Sequence, residues 1–203
     1  MTSHSVIFWD FDGVLMNSNE VRDTGFEHVL ANYPAEQVEM LMDFHRRNGG
    51  LSRYVKFRYF FEEVLGKKVT DNEIQVLAEE FSVIMKKLLT NKTLLIAETI
   101  DFVKANHEKY KMHIVSGSDG NELRYLCGTL GIDHYFLSIH GSPTPKKKLV
   151  ADLLAGHGYD KSSCILIGDS INDWEAADVN GIDFYPYNNN ELLSKSTITT
   201  FKL

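Results

Sequence analysis

Five short apolar segments, each the length of a β-strand, constrain the fold of this chain more than any other feature. They are residues 6–9, 113–115, 135–140, 164–167 and 182–185. Patterns typical of amphipathic helices follow the second, third and fourth segments, at 121–130, 146–155 and 171–180. Strands that alternate with helices of this length form right-handed βαβ units. The sequence therefore predicts an α/β protein with a Rossmann-like parallel sheet, to which 197–201 are expected to add an edge strand.

The stretch between the first two strands has a different character, because it contains four helical patterns and no convincing strand. Turn and capping residues mark their boundaries: Pro34 after the first, 48–50 after the second, Ser52 and Gly66 around the third, and Thr70 with Glu73 as a capping box before the fourth. We therefore predict two domains. An all-helical domain covers 17–92, and an α/β core covers 1–16 and 93–203.

The first strand ends at two carboxylates, Asp10 and Asp12, followed by Gly13. Ligands of open α/β sheets bind at the carboxyl ends of the strands. Two acids placed there repel each other, and a divalent cation relieves that repulsion. An ordinary Asp-Gly turn is the alternative interpretation. A calcium loop is excluded, because Val14 and Leu15 stand where such a loop needs ligands and glycine.

Other strands of the predicted sheet also end in polar residues. The second ends at Ser116 and Gly117, the fourth at Asp169, with Asp173 one helical turn later, and Lys146 begins the helix after the third. Taken singly, each has an ordinary explanation as a turn, a helix N-terminus or a surface charge. Because they share one edge of the sheet, they together indicate a metal site that contains a nucleophile.

In their order along the chain, these motifs resemble those of the haloacid dehalogenase superfamily. They are Asp-x-Asp-Gly-Val-Leu, Ser-Gly, a downstream lysine and Gly-Asp-x-x-x-Asp. The helical stretch is similar to that superfamily's C1-type cap. The resemblance implies an Mg²⁺-dependent phosphatase that acts on a small phosphorylated metabolite, such as a sugar phosphate or a phosphorylated organic acid. A phosphomutase of the β-phosphoglucomutase type is an alternative. A non-catalytic receiver-like signalling module is another, but that class has no large helical insert.

The resemblance also implies a role for each motif residue. Asp10 would attack phosphorus and form an aspartyl-phosphate, and Asp12 would serve as general acid and then base. Mg²⁺ would be held by Asp10, the backbone carbonyl of Asp12, and Asp169. Asp173 would orient water or the lysine.

Three further residues would act on the phosphoryl group. Ser116 and the amide of Gly117 would hydrogen-bond its oxygens, and Lys146 would neutralise charge in the transition state. Many capped members carry the lysine in Lys-Pro-x-Pro, where this chain has Ser142. We therefore assign the role to Lys146, with Lys147 as the fallback.

Substrate selectivity is expected to come from the helical stretch. The turn at 49–53 would bring the Ser52 hydroxyl and a free Arg53 guanidinium to the substrate, and Asn17 would line the cleft or form a hinge. The alternative is that Ser52 only caps a helix and Arg53 lies on the surface. Nearby cations are interpreted as a solvated basic face: Arg46, Arg47, Lys56 and Arg58.

Composition narrows the possible partners and location. The net charge of -7 gives no reason to expect nucleic acid or an anionic membrane as partner. No apolar run approaches the roughly 20 residues of a transmembrane helix, and the N-terminus has no secretory pattern. Cys127 and Cys164 are expected to be buried free thiols, which favours a cytoplasmic protein. The chain is expected to be a monomer or a homodimer.

Overall fold

The computed structural model describes residues 4–198, and a five-stranded parallel sheet lies at its centre. The strands are β1 (Val6–Trp9), β2 (Lys111–Asp119), β3 (Ser138–Ser142), β4 (Cys164–Gly168) and β5 (Asp183–Pro186). Their order is β3-β2-β1-β4-β5, and every neighbouring pair is parallel. The predicted α/β fold class is confirmed.

Eight α-helices surround this sheet or precede its second strand. They are α1 (Asn19–Val29), α2 (Ala35–Arg47), α3 (Arg53–Tyr59), α4 (Asp71–Leu88), α5 (Ala97–Asn106), α6 (Gly120–Leu130), α7 (Lys146–His157) and α8 (Ile171–Asn180) among the described residues. The helices predicted after the second, third and fourth strands are α6, α7 and α8. Since these helices alternate with the strands, their connections bring every strand end to one edge of the sheet.

The central strand β1 is buried on both faces. Ile7 and Trp9 pack in one apolar cluster with residues of α5 and α6, while Val6 and Phe8 pack in a second cluster with residues of α7 and α8. All four side chains are at most 1% exposed. Burial of each such side chain contributes roughly 1.5–3 kcal/mol, so this short strand is a major element of the core.

Three boundaries differ from those predicted from the sequence. β2 continues to Asp119, because it pairs with Ser142 after an irregularity in the ladder. β3 begins only at Ser138, since the chain first forms a 3-10 turn at Asp133–Tyr135. Of the edge strand expected at 197–201, the described part is a bend, and 199–201 lie outside the described residues.

Residues 19–88, which we call the helical insert, contain helices and turns but no strand. Ser52 caps α3, and Thr70 forms the predicted capping box with Glu73 at the start of α4. The third helix is not uniform, because α3 ends at Tyr59 and continues as a π-helical turn, Phe60–Val64. The Leu65 amide donates to the Phe60 carbonyl at 3.0 Å, which is the wider i→i+5 bond of a π turn.

The chain enters and leaves the helical insert at neighbouring points. Met16 and Leu95 form an isolated antiparallel bridge, and the Asn17 amide donates to the Leu94 carbonyl at 2.8 Å. These contacts lie close to the boundaries predicted for the helical domain. The division into two domains itself stays a prediction.

Both cysteines are free and buried, as the sequence predicted. Among the described residues, none of the helices combines the length and apolar character that crossing a bilayer requires.

Candidate active site

The register of the sheet places Asp10 at the carboxyl end of its central strand. Trp9 lies opposite Ile114 on one side and Ile167 on the other, and the Asp10 amide donates to the Ile167 carbonyl at 2.9 Å. The Asp10 side chain is 3% exposed. The strand ends on either side therefore lie beside this carboxylate, as the sequence predicted.

Lys146, the first residue of α7, contacts Asp10. Its Nζ lies 2.9 Å from Asp10 Oδ1, and it also donates to Asp173. The lysine is 3% exposed, whereas Lys147 beside it is exposed. Burial opposes the charged form, but Asp10 and Asp173 outweigh it, so the pKa of Lys146 is raised. Lys146 is thus the lysine of this site by position, and the fallback Lys147 lies at the surface.

Asp169 and Asp173 follow β4. One carboxylate oxygen from each of these residues and one from Asp10 all lie within 4.8 Å of one another. Asp173 is fixed by the N-terminus of α8, since it forms a capping box with Ser170 and accepts from the Ser170 amide at 3.0 Å. Its carboxylate therefore already accepts hydrogen bonds from Ser170 and Lys146. Asp10 and Asp169 are the acids of the cluster with more capacity to bind a further group.

Gly13 allows the loop after β1 to approach Asp169. Its φ is +76°, and a Cβ at this position would lie 1.9 Å from Asp169 Oδ2. Asn19 Nδ2 donates to the same oxygen at 3.4 Å. A side chain at position 13 would displace the Asp169 carboxylate, so glycine is needed here for both the turn and the contact.

The acids of this cluster are suited to a divalent cation. Burial, followed by the charge of Asp173, raises the pKa of Asp10 well above its usual value and that of Asp169 to about 7. Repulsion of this kind is relieved by a bound cation, and carboxylate oxygens are the ligands Mg²⁺ prefers. The donor set therefore fits the predicted ion. The ligands assigned from the sequence, Asp10, the Asp12 carbonyl and Asp169, stay a prediction.

Ser116 and Gly117 reach the same edge from β2. Ser116 is 1% exposed, and its Oγ accepts the Ser118 amide at 3.1 Å. Gly117 lies against the helical insert, because a Cβ there would be 2.0 Å from the Gly50 carbonyl oxygen. Their expected contacts with a phosphoryl group stay a prediction.

Asp12 is held by three donors, none of which the sequence analysis assigned to the site. Ser118 Oγ donates to its Oδ2 at 2.5 Å, Arg22 Nε donates to its Oδ1 at 3.0 Å, and Ser18 donates to the same Oδ1. Burial raises the pKa of Asp12, but Arg22 and the two hydroxyl groups outweigh burial and lower it. The carboxylate form is therefore favoured, which is the form of a general base.

A buried ion-pair network connects the insert to the α/β core. Glu122 of α6, with a fully buried side chain, accepts from Arg22 Nη1 at 2.5 Å and from Arg53 Nη1 at 2.7 Å. Burial raises the pKa of Glu122, but the two arginines lower it below its usual value. Arg53 also donates to Ser82 Oγ at 2.7 Å. The expectation of a free Arg53 guanidinium was wrong, and so was the alternative of a surface arginine.

The cation cluster at 46–58 also differs from expectation. Lys56 is 4% exposed, and its Nζ lies 2.7 Å from His45 Nδ1. The interpretation of a solvated basic face is therefore wrong for Lys56. No periodicity or motif at this lysine distinguished it from its exposed neighbours, so sequence reasoning missed it.

A cavity of about 670 Å³ joins these groups. The core contributes Asp10, Asp12, Ser116, Gly117 and Asp169, and the insert contributes Asn19, Glu20, Arg22, Arg53 and Lys56, among others. Two residues assigned to substrate from the sequence do not line it: Ser52 caps α3, and Asn17 lies exposed beside Leu94. The alternative interpretation of Ser52 as a helix cap fits its position, and a role for Asn17 in a hinge stays a prediction.

Comparison with known proteins adds independent information. A family model described as haloacid dehalogenase-like hydrolase matches residues 6–186. No curated protein matches the chain.

Solved structures resemble this one over nearly their whole lengths. A β-phosphoglucomutase from Clostridium difficile has a TM-score of 0.75 at 17% identity, with 98% of this chain and 91% of that chain covered. A predicted phosphoglycolate phosphatase from Haemophilus somnus has a TM-score of 0.72 at 22% identity, with 97% and 93% covered. CbbY from Rhodobacter sphaeroides, in complex with xylulose-(1,5)bisphosphate, has a TM-score of 0.70 at 15% identity, with 93% and 89% covered. At these identities the similarities concern the fold.

Proposed function

Since the chain belongs to the haloacid dehalogenase-like hydrolase family, we propose that it is an Mg²⁺-dependent phosphatase that acts on a small phosphorylated metabolite. Hydrolysis would proceed through an aspartyl-phosphate on Asp10. In this proposal the helical insert lies within a cap domain, 17–92, and the α/β core is formed by 1–16 and 93–203. The free cysteines favour a reducing compartment, so we assign the protein to the cytoplasm.

The observation that carries this proposal is the contact between Asp10 and Lys146 beside Asp169. A carboxylate is a weak nucleophile towards an anionic phosphoryl group unless nearby positive charge offsets the repulsion. Lys146 supplies one such charge at 2.9 Å from Asp10. Bound Mg²⁺ would supply the second, held by Asp10, the Asp12 carbonyl and Asp169.

Three other residues are proposed to act on the phosphoryl group and the leaving group. Ser116 and the Gly117 amide would hydrogen-bond the phosphoryl oxygens as negative charge redistributes. Asp12 would donate a proton to the leaving oxygen and then remove one from the attacking water. The Arg22 pair favours the carboxylate form that the second step requires, so Asp12 would have to take up a proton before it protonates the leaving oxygen in the first step.

A phosphomutase is the second candidate, and the cavity favours considering it. One of the similar structures is named as a β-phosphoglucomutase. Three cationic residues of the insert, Arg22, Arg53 and Lys56, line the cavity, and positive charge suits a substrate with two phosphates. A mutase would return the phosphate to a sugar, whereas a phosphatase would release it. Inorganic phosphate from a monophosphate, without a bisphosphate requirement, therefore distinguishes the two.

The experiment is phosphate release from a panel of phosphorylated metabolites and a generic aryl phosphate, with Mg²⁺ present. Asp10→Asn should lower turnover by at least ~10³-fold, because the nucleophile of the covalent step is lost. Asp101→Asn is the matched control, since the Asp101 side chain is 73% exposed. Near-normal turnover in Asp10→Asn would refute the mechanism. Light scattering during gel filtration would establish whether the protein is a monomer or a homodimer.

A further inference from the structure

Arg22 has a buried nitrogen, Nη2, that makes no hydrogen bond within residues 4–198. Its Nε and Nη1 donate to Asp12 and Glu122. Arg22 is 6% exposed and lines the cavity. A buried donor without a partner costs roughly 1–3 kcal/mol, and more when the group is charged. The cavity is the space from which a partner can come.

Lys56 is a second buried cation on the same wall, and its protein partner is not an acid. Its Nζ donates to His45 Nδ1 at 2.7 Å, and His45 Nε2 lies 2.9 Å from Asp23 Oδ1. Burial, followed by the charge of Lys56, lowers the pKa of His45 to about 3, so the imidazole is neutral. Asp23 in turn pairs with Arg46 at 3.1 Å. Within the described part of the chain, Lys56 makes no ion pair with a carboxylate.

The cavity wall of the insert therefore carries an excess of positive charge. Three buried cations, Arg22, Arg53 and Lys56, share the carboxylates of Asp12 and Glu122. Buried charges in proteins are normally paired, because desolvation without a counter-charge is costly. An anion placed against Lys56 and Arg22 Nη2 would complete both the charge balance and the hydrogen bonding.

We propose that Arg22 and Lys56 form a subsite for a second anionic group of the substrate, a carboxylate or a second phosphate. The substrate is then a phosphomonoester that carries another anion a few carbon atoms away. This inference rests on the proposed function, because it places the phosphate at Asp10 and the second anion against residues of the insert that line the same cavity. The size of that cavity, about 670 Å³, is within the range of sites for small molecules.

The subsite is also consistent with the position of Arg53, which the sequence analysis had assigned to the substrate. Arg53 is used by Glu122, Ser82 and the ring of Phe81, whose centroid lies 4.4 Å from its Cζ. It therefore holds Glu122 in place, and Glu122 in turn fixes Arg22 Nη1 with Nη2 left free. The contacts with the second anionic group are therefore made by Arg22 and Lys56.

The test compares three stable phosphonates that differ only in their second group. Propylphosphonate has none, 3-phosphonopropionate has a carboxylate in place of the methyl group, and ethane-1,2-bisphosphonate has a second phosphonate there. Binding is measured by calorimetry with Mg²⁺ present. We expect the wild-type protein to bind one or both of the analogues with a second anionic group at least ~10-fold more tightly than propylphosphonate, which corresponds to one additional charged contact. The analogue that gains more identifies whether the second group is a carboxylate or a phosphate.

Two variants assign that preference to Lys56. Lys56→Met and Lys56→Gln should each abolish the preference and leave propylphosphonate binding unchanged, and Lys56→Gln retains a donor for His45 if the Met variant folds poorly. Lys147→Met is the matched control, because Lys147 is exposed. Equal affinities for the three analogues, binding of none of them, or an unchanged preference in both Lys56 variants would overturn the subsite.

Phosphate release from the aryl phosphate separates this inference from the proposed function. Phosphate release without a preference for the analogues that carry a second anionic group would exclude the subsite and support the phosphatase proposal. A preference without release removes the phosphatase and leaves the subsite.

Discussion

Replacement of Lys56 by Met should stabilise the protein at low pH. Burial lowers the pKa of Lys56 from 10.5 to about 7. The charges of Asp12 and Asp23 oppose this shift, and those of Arg22 and Arg53 add to it. Each pH unit between the folded and unfolded pKa is worth ~1.4 kcal/mol, so the protonated lysine costs the folded state ~5 kcal/mol at pH 6. Loss of the hydrogen bond to His45 offsets ~1 kcal/mol of the gain in Lys56→Met.

The contribution of Lys56 to stability depends on pH, and the direction of its shifted pKa fixes the sign of that dependence. The folded pKa of Lys56 is lower than the unfolded one, so between pH 7 and pH 10.5 the unfolded chain binds more protons. The contribution of this lysine to stability therefore rises with pH in that window, and its full cost is present below pH 7. The free energy of unfolding of Lys56→Met should exceed that of the wild type most at pH 6. The difference in free energy of unfolding between Lys56→Met and the wild type should be ~3 kcal/mol smaller at pH 9 than at pH 6.

Urea unfolding followed by circular dichroism at pH 6, 7, 8 and 9 measures this gap. Lys147→Met is the control and should show no comparable trend, because Lys147 is exposed. A gap for Lys56→Met that stays constant with pH, or that widens as pH rises, would show that the buried lysine is not desolvated as the structure indicates.

Three further predictions follow from the site. Glu122→Gln should destabilise the protein by about 3–5 kcal/mol in urea unfolding, because two buried arginines lose their shared carboxylate; a change below about 1 kcal/mol would contradict the network. Gly13→Ala should weaken Mg²⁺ binding at least ~10-fold by calorimetry, since its Cβ would overlap Asp169 Oδ2 at the positive φ of the turn; unchanged affinity would place the ion elsewhere. Removal of Mg²⁺ by a chelator should stop phosphate release and raise the free energy cost of holding Asp10 and Asp169 ionised, and added Mg²⁺ should restore activity; full activity in the chelator would exclude the ion from the reaction.

The fold was largely readable from the sequence because its signals are local. The apolar run of β1, the capping box at Thr70 and the cap at Ser52 each lie within a few residues and have one favoured structure. The exact extent of β2 and β3 could not be predicted, since it depends on pairs such as His113 with Ser138 and Asp119 with Ser142, which are distant in the sequence. The π turn after Tyr59 is another such case, as it follows from packing in the insert.

The residues of the candidate site also fall into those that could be predicted from the sequence and those that could not. Asp10, Lys146 and Asp169 were found because parallel strands deliver their ends to a common edge. Arg22 and Lys56 were not found, since nothing in the spacing of either residue indicates that a third element, α6 with Glu122 or α2 with His45, meets it in space. Burial of a charge depends on tertiary contacts, and a single sequence carries no local signal for it.

The bridge between Met16 and Leu95 makes the helical insert, topologically, a single surface loop of the α/β core. Its two ends are already adjacent, so the length and shape of the segment between them place no strain on the five strands. The segment between them can therefore change in length without altering the sheet. A change at Arg22, however, would reach Asp12, because Arg22 of this segment donates to that carboxylate.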